Sequence, residues 1–354
     1  MRVTIREVAR RAGVSKTSVS FAFNDPSRLS RGTLRRIMGI AEELGYSPDP
    51  VARTLATRSS AALGFLLPQA IPEAFRNPYT AELLQGIGQV CQREGLSLSL
   101  IPPLEGLLSR AVRTAMVSAF ILLGVSPDRR TCELLERRRL PFVTIDGDGG
   151  ALNVGIDDGR AAEALMEHVL ALGHRDIEVI GLRSIAHGVS DGRGSRTAER
   201  RLAGFRRALR ARGLSLGSRG VKIHVSEGSI AAASRAAHRI LSRADRPTAL
   251  VCMSDVSAYG AYQACRDLDL NIPAELSVAG FDDVAFSGLL SPALTTVHQP
   301  GFEKGRRAAR LAVNLLAGRK CSSQLLPAEL VVRGSTAPPA DRRHPRGRQA
   351  TGPQ

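Results

Sequence analysis

From Ala61 onward, short apolar runs alternate with amphipathic stretches, and this alternation constrains the fold more than any other feature. LGFLLP, LSLSLI, AFILLG, PFVTID, NVGI, DIEVIGL, VKIHV, TALVCM and LSVAGF read as strands. TAELLQGIGQVCQREG, RRTCELLERRR, DGRAAEALMEHVLALG, RTAERRLAGFRRALRARG, IAAASRAAHRILSRA and DVSAYGAYQACRDL read as the helices between them. Continuous apolar strands separated by helices belong to parallel, doubly wound sheets covered on both faces. A stretch of this length has room for two such sheets.

The first sixty residues follow another pattern. Thr4–Asn24, TIREVARRAGVSKTSVSFAFN, reads as two short helices joined by a tight turn. Thr4 can cap the first helix, and Glu7 three residues on completes a capping-box pattern. Gly13 supplies the positive φ that the turn needs, and Ser15 can cap the second helix. In that helix Val19, Ala22 and Phe23 share one face, while Lys16, Thr17, Ser20, Phe21 and Asn24 share the other. Ser30 can cap a third helix whose Leu34, Ile37, Ala41 and Leu44 form an apolar stripe, ended by Gly45. A small helix pair with a glycine turn and a polar outer face is the pattern of a DNA-binding helix-turn-helix. Asp49-Pro50 then opens a further helix of about two turns, too short to hold alone in water. Its Ala52 and Leu55 fit two readings: a linker, or a hinge that folds in a minor groove with Leu55 wedged between base steps.

The formal net charge is +16. Residues 1–60 hold 11 Lys/Arg against 5 Asp/Glu, and residues 341–354 hold 4 Arg against 1 Asp, so the excess is spread along the chain. Charge alone therefore does not identify nucleic acid. The N-terminus has no apolar leader, and no run reaches the roughly 18 apolar residues that span a membrane. Cys91, Cys132, Cys252, Cys265 and Cys321 form no CxxC pair and read as reduced thiols of a cytoplasmic protein. No metal or cofactor is expected, because His and Cys do not cluster at ligand spacing.

TIREVARRAGVS, TSVS, AEELGYSPDPVARTL, GHRDIEVIGL, RLAGF, DLDLNIPAELSVAGFDD, LTTVHQP and LPAELVVRGST stand in an order that resembles the lactose-repressor (LacI/GalR) family. The resemblance runs from Thr4 to Thr336. It implies a homodimeric or tetrameric regulator with a hinge helix and a two-lobed periplasmic-binding-protein-like domain. The chain would cross between lobes near Asp157, Gln299 and Leu326. The expected divisions are a helix-turn-helix head at 1–48, a hinge at 49–60, an effector-binding and dimerisation domain at 61–336, and a basic tail at 337–354. The tail, rich in Pro, Arg and Gly, is expected to be disordered. No leucine heptad closes the chain, so nothing predicts a tetramer.

Members of the family read bases through the first exposed residues of the second helix. Those positions here are Lys16 and Thr17, with Ser20 and Phe21 one turn on. Lysine can donate to guanine O6 and N7, and threonine offers a hydroxyl and a methyl. Phe21 stands where many relatives carry Arg; it either meets a thymine methyl or folds back onto the small core. Arg6, Ser15, Ser18 and Arg31 are candidates for phosphate contacts, which position without specifying. The implied partner is a palindromic double-stranded operator, with Ala52 and Leu55 in its minor groove.

Doubly wound sheets bind ligands at the carboxyl ends of their strands. Asp146, Asp157, Ser254, Asp255, Asp282 and Gln299 stand at such ends. Singly, each can be a helix cap or a loop hydrogen bond. Together they suit a neutral or cationic polar effector such as a sugar. The resemblance adds Arg201, whose planar fork suits bidentate contacts, and the Tyr79–Thr80 pair. Thr80, Leu123, Glu199, Gly228 and Ser254 depart from residues common in the family. Gln69–Arg76 and Ser184–Arg196 read as loops, the second a candidate lid.

Three functions fit such a chain: a ligand-responsive repressor, an enzyme on the α/β domain, and a transport-type binding protein. The sequence carries no P-loop, no GxGxxG after a strand, no HExxH and no GxSxG. The head argues against transport. The expectation is a nucleoid-associated transcriptional regulator and not an enzyme.

Overall fold

The computed structural model describes residues 3–46, 62–68, 70–102, 108–125, 127–147, 152–182, 196–218 and 220–340. The chain divides into two units between Ala61 and Ala62. Ala52 and Leu55 lie outside the described residues, as does most of the candidate lid.

The first unit holds α1 (Ile5–Ala12), α2 (Lys16–Asn24) and α3 (Arg31–Glu43). Gly13, at φ 63°, turns the chain between α1 and α2. The Ser15 hydroxyl accepts the Ser18 N–H at 3.0 Å, and Ser30 accepts that of Thr33 at 3.2 Å. The expected capping box at Thr4 is absent. The Thr4 carbonyl takes the Glu7 and Val8 N–H groups, its hydroxyl makes no cap bond, and Glu7 faces Arg10 at 3.8 Å instead. Helices this short are not stable alone. They share a core of Val8, Ala9, Ala12, Val19, Ala22, Ile37 and Ala41.

The second unit has two lobes. The first contains β1 (Ala62–Leu66), α4 (Ile71–Phe75), α5 (Pro78–Glu94), β2 (Ser97–Ile101), α6 (Leu108–Thr114), β3 (Ala119–Leu123), α7 (Arg129–Arg137), β4 (Phe142–Ile145) and β5 (Asn153–Ile156). The second contains α8 (Asp158–Ala171), β6 (Ile177–Leu182), α9 (Arg196–Arg210), β7 (Val221–Ser226), α10 (Ile230–Leu241), β8 (Ala249–Cys252), α11 (Asp255–Asp267), β9 (Ser277–Ala279) and β10 (Thr296–His298). The chain then returns through α12 (Gly301–Leu316) and β11 (Gln324–Leu326) to the first lobe, and β12 (Glu329–Val331) pairs antiparallel with β10. The sheets run β2-β1-β3-β4-β5-β11 and β7-β6-β8-β9, each parallel throughout. The three crossings fall after β5, β10 and β11, where the resemblance places them.

Two expectations change. α4 occupies part of the stretch read as a loop at Gln69–Arg76, with Pro72 in its first turn and Glu73 beside its N-terminal dipole. The tail is also shorter at its start than expected. The Ala337 N–H donates to Ser277 Oγ at 3.0 Å, and its carbonyl lies 2.9 Å from His174 Nε2. A hydrogen-bonded backbone holds Ala337 on the second lobe despite a disorder-prone composition.

Helices meet at backbone distance in both lobes. A Cβ on Gly86 of α5 would lie 2.0 Å from the Phe302 carbonyl oxygen on α12, and one on Gly305 would lie 2.1 Å from that of Leu83. On α9, a Cβ at Gly204 would lie 2.1 Å from the Gly159 carbonyl oxygen on α8. Among the described residues, no helix is long and apolar enough to cross a membrane.

Candidate ligand cleft and DNA-reading helix

On α2, Lys16 and Thr17 are exposed, Ser20 and Phe21 are partly exposed, and Val19 and Ala22 are buried. This separates the polar face from the core face as their spacing requires. Phe21 is not part of the small core. The Arg28 guanidinium stands over its ring, 5.0 Å from the centroid, and pairs with Asp25 at 2.9 Å. Arg6 and Arg31 are exposed. Ser15 and Ser18 bond each other at 3.0 Å while Ser15 caps α2, so both have a structural role beside any role at phosphates.

The cleft begins in lobe one. Asp146 follows β4 with φ 56°, a conformation that L-residues seldom adopt. Its Oδ2 accepts from the Tyr79 hydroxyl at 2.9 Å, and its Oδ1 accepts from Lys304 Nζ at 2.7 Å. Lys304, on α12, is fully buried. Its ammonium also donates to Tyr79 Oη at 3.1 Å and Gln299 Oε1 at 2.6 Å, so all three N–H groups are used. Burial, with Asp146 and Asp282 nearby, raises the Tyr79 pKa and keeps the phenol neutral.

Gln299 carries the network between lobes. Its Nε2 donates to Asp282 Oδ1 at 2.5 Å, and Arg201 Nη1 lies 3.7 Å from the same oxygen. Arg201 donates through Nε to Asp158 Oδ1 at 2.9 Å and through Nη1 to the Met253 carbonyl at 2.6 Å. Its guanidinium stacks 3.6 Å from the Phe281 ring centroid. Burial works against its charge, but Asp158 and Asp282 more than offset this and raise its pKa. Arg200 closes the other side of Asp158, donating to Oδ2 at 3.1 Å and to the Asp146 carbonyl at 3.0 Å. Burial pushes the Asp282 carboxyl up to about 8, against the pull of Arg201.

Tyr79, Asp146, Arg201, Asp282 and Gln299 are thus brought together. The other candidates bond to groups outside this set. The Asp255 carboxylate is fully buried behind it and accepts from Ser287 Oγ and Thr296 Oγ1, both at 2.6 Å, and from the Val284 N–H. These bonds hold the segment at Val284–Ser287 and the strand residue Thr296 around it. Ser254 caps α11 and bonds Ser257 Oγ at 2.9 Å. Thr80 is buried in the first turn of α5. Asp157 is exposed and caps α8 through the Arg160 N–H, while its neighbour Asp158 is buried in the site. Glu82, also on α5, is pushed up to about 7 by burial and by Asp283 and Asp255. Sequence reasoning missed Lys304, Asp158 and Arg200.

Residues 4–49 match the family model described as bacterial regulatory proteins, lacI family, and residues 166–336 match that of a periplasmic binding protein-like domain. An HTH-type transcriptional regulator of Mycobacterium tuberculosis is 34% identical over 365 residues, covering 96% of this chain and 98% of that protein. The HTH-type transcriptional repressor PurR of Aliivibrio fischeri is 31% identical over 330 residues, covering 89% and 91%. The lac repressor dimer, solved with operator and the anti-inducer ONPF, shares the fold: TM-score 0.77 at 24% identity, over 95% of this chain and 100% of that one. These relatives are regulators and repressors, which decides against an enzyme. Near-complete coverage at this identity, with a helix-turn-helix at the start and a two-lobed cleft after it, makes the chain a member of the lacI family of bacterial regulatory proteins.

Proposed function

We propose that the chain is a cytoplasmic, nucleoid-associated repressor that binds a palindromic operator as a homodimer and releases or grips it when a small polar effector enters the cleft. The observation that carries this reading is the polar network through Gln299, which joins Asp146 and Lys304 of lobe one to Asp282 and Arg201 of lobe two. A ligand that exchanges with these bonds changes the angle between lobes. Coupling of this kind is reciprocal, so an inducer binds the DNA-bound form less tightly. Tyr79, Asp146, Arg201, Asp282 and Gln299 form the effector set, and a sugar is the expected class.

On DNA, Lys16, Thr17, Ser20 and Phe21 read bases, and Arg6, Ser15, Ser18 and Arg31 meet phosphates. Ala52 and Leu55 enter the minor groove at the palindrome's centre. Genome-wide mapping of bound DNA supplies the operator. On that operator, Lys16→Ala with Thr17→Ala should abolish the footprint; full retention removes both residues from readout. Leu55→Ala should weaken specific binding far more than non-specific binding, whereas equal loss of both makes 49–60 a plain linker.

A further inference from the structure

The outer face of α2 carries an aromatic ring among its reading positions, and a phenyl ring offers a base edge apolar contact only. Phe21 stands one turn after Thr17, on the same side of the helix. Its ring is not bare. Arg28 ends the short 3-10 turn Pro26–Arg28 that follows α2, and its guanidinium lies over the ring, 5.0 Å from the centroid. Arg28 Nε is 2.9 Å from Asp25 Oδ2. The Ser27 hydroxyl donates to the other oxygen, Asp25 Oδ1, at 2.6 Å and so orients the carboxylate. The guanidinium is therefore held twice, by the ring on one face and by the carboxylate at Nε. Among the described residues, neither terminal amino group of Arg28 has a partner, and the side chain is 62% exposed. Two other paired arginines of this unit are held more loosely: Arg10 and Arg11 stand 3.8 and 3.7 Å from Glu7 and Glu43.

We propose that Arg28 reads a guanine in each operator half-site, with Phe21 and Asp25 as its positioning residues. The inference rests on α2 being the DNA-reading helix and adds to its reading set a residue from outside that helix. Guanine presents O6 and N7 as two adjacent acceptors in the major groove, and an arginine fork meets both at once. The two open amino groups of Arg28 supply that fork. A bidentate approach needs the guanidinium plane fixed as well as its position. The Phe21 ring fixes the plane by stacking, and Asp25 fixes the rotation within it through Nε. A side chain ordered before it docks has less freedom to lose on binding. A phosphate contact needs no such support, because it positions the protein without reading a base. The ring and the carboxylate together are the mark of a residue that has to be aimed.

The test uses the full-length protein on the operator recovered by genome-wide mapping, and on copies of it with each base pair of the half-site replaced in turn. Affinities are read by fluorescence anisotropy at several salt concentrations. The wild type should prefer guanine at one base pair per half-site that Arg28→Ala ceases to distinguish, with binding to the intact operator about ten-fold or more weaker. Arg28→Lys keeps the charge without the fork and should not restore that preference. Asp25→Ala should weaken the same preference and no other. A loss spread evenly over all the operator copies, with a salt slope shallower by about one per subunit, makes Arg28 a phosphate contact and overturns the proposal. Full recovery in Arg28→Lys overturns it as well, and an unchanged profile in Asp25→Ala removes Asp25 from positioning. If Arg28→Ala leaves the profile unchanged while Lys16→Ala with Thr17→Ala abolishes the footprint, the proposal falls and α2 remains the reading helix. If neither variant alters binding, both readings fall.

Discussion

Lys304 Nζ lies 2.7 Å from Asp146 Oδ1, in a pair whose side chains are 0% and 6% exposed. Removing one partner leaves the other charge buried and uncompensated, which costs roughly 3–5 kcal/mol. Lys304→Ala or Asp146→Ala should therefore each lower stability by about that amount in urea unfolding. A loss below about 1 kcal/mol would mean that water reaches the pair.

The glycines of α5 differ sharply in what they tolerate. A methyl at Gly86 would collide with the α12 backbone, whereas a Cβ at Gly88 meets nothing within 4 Å. Gly86→Ala should destabilise by about 1–3 kcal/mol or more through overpacking. Gly88→Ala should stabilise by roughly 0.5–1 kcal/mol, because alanine loses less backbone freedom in a helix. The same sign for both in thermal unfolding would be inconsistent with this packing.

His174 makes stability depend on pH. Burial lowers its pKa from the ordinary 6.5, the bond to Ala337 raises it somewhat, and His168 lowers it. Since the unfolded chain takes up the proton first, the contribution is complete above about pH 6.5 and is lost as pH falls below it. His174→Gln should flatten the melting-temperature profile between about pH 5 and 7; an unchanged slope would place the titration elsewhere.

Phe21 and Arg28 should act as one element on DNA. The ring carries the guanidinium, and Asp25 anchors it from the other side. Phe21→Ala should change preference at a single base pair per half-site by about 1–3 kcal/mol, and Arg28→Ala should add little once the ring is gone. Additive losses on an array of operator variants would separate the two residues.

Asp146, Asp282 and Gln299 were legible because each ends an apolar run, where a polar side chain has no core to join. The caps at Ser15 and Ser30 were legible for a similar local reason. Lys304 was not: it sits in EKGRRAAR, which reads as one solvated, basic helix face, and only packing shows that this cation points inward. Asp158 was hidden beside Asp157, since two adjacent carboxylates at a helix start look interchangeable until one caps and the other is buried. Asp255 also ends an apolar run, but its bonds run to Val284, Ser287 and Thr296, and chain order does not show which way a side chain turns. Thr4 shows the limit of a short motif, because a backbone carbonyl can take the donors that the motif assigns to a hydroxyl.

Gly86 with Gly305, and Gly204 with Gly159, press helix backbones together at separations that leave no room to roll. Each lobe therefore behaves as a stiff lever. If a ligand in the cleft acts as proposed, its work should emerge as rotation about the three connections after Ile156, His298 and Leu326, and not as strain within either lobe.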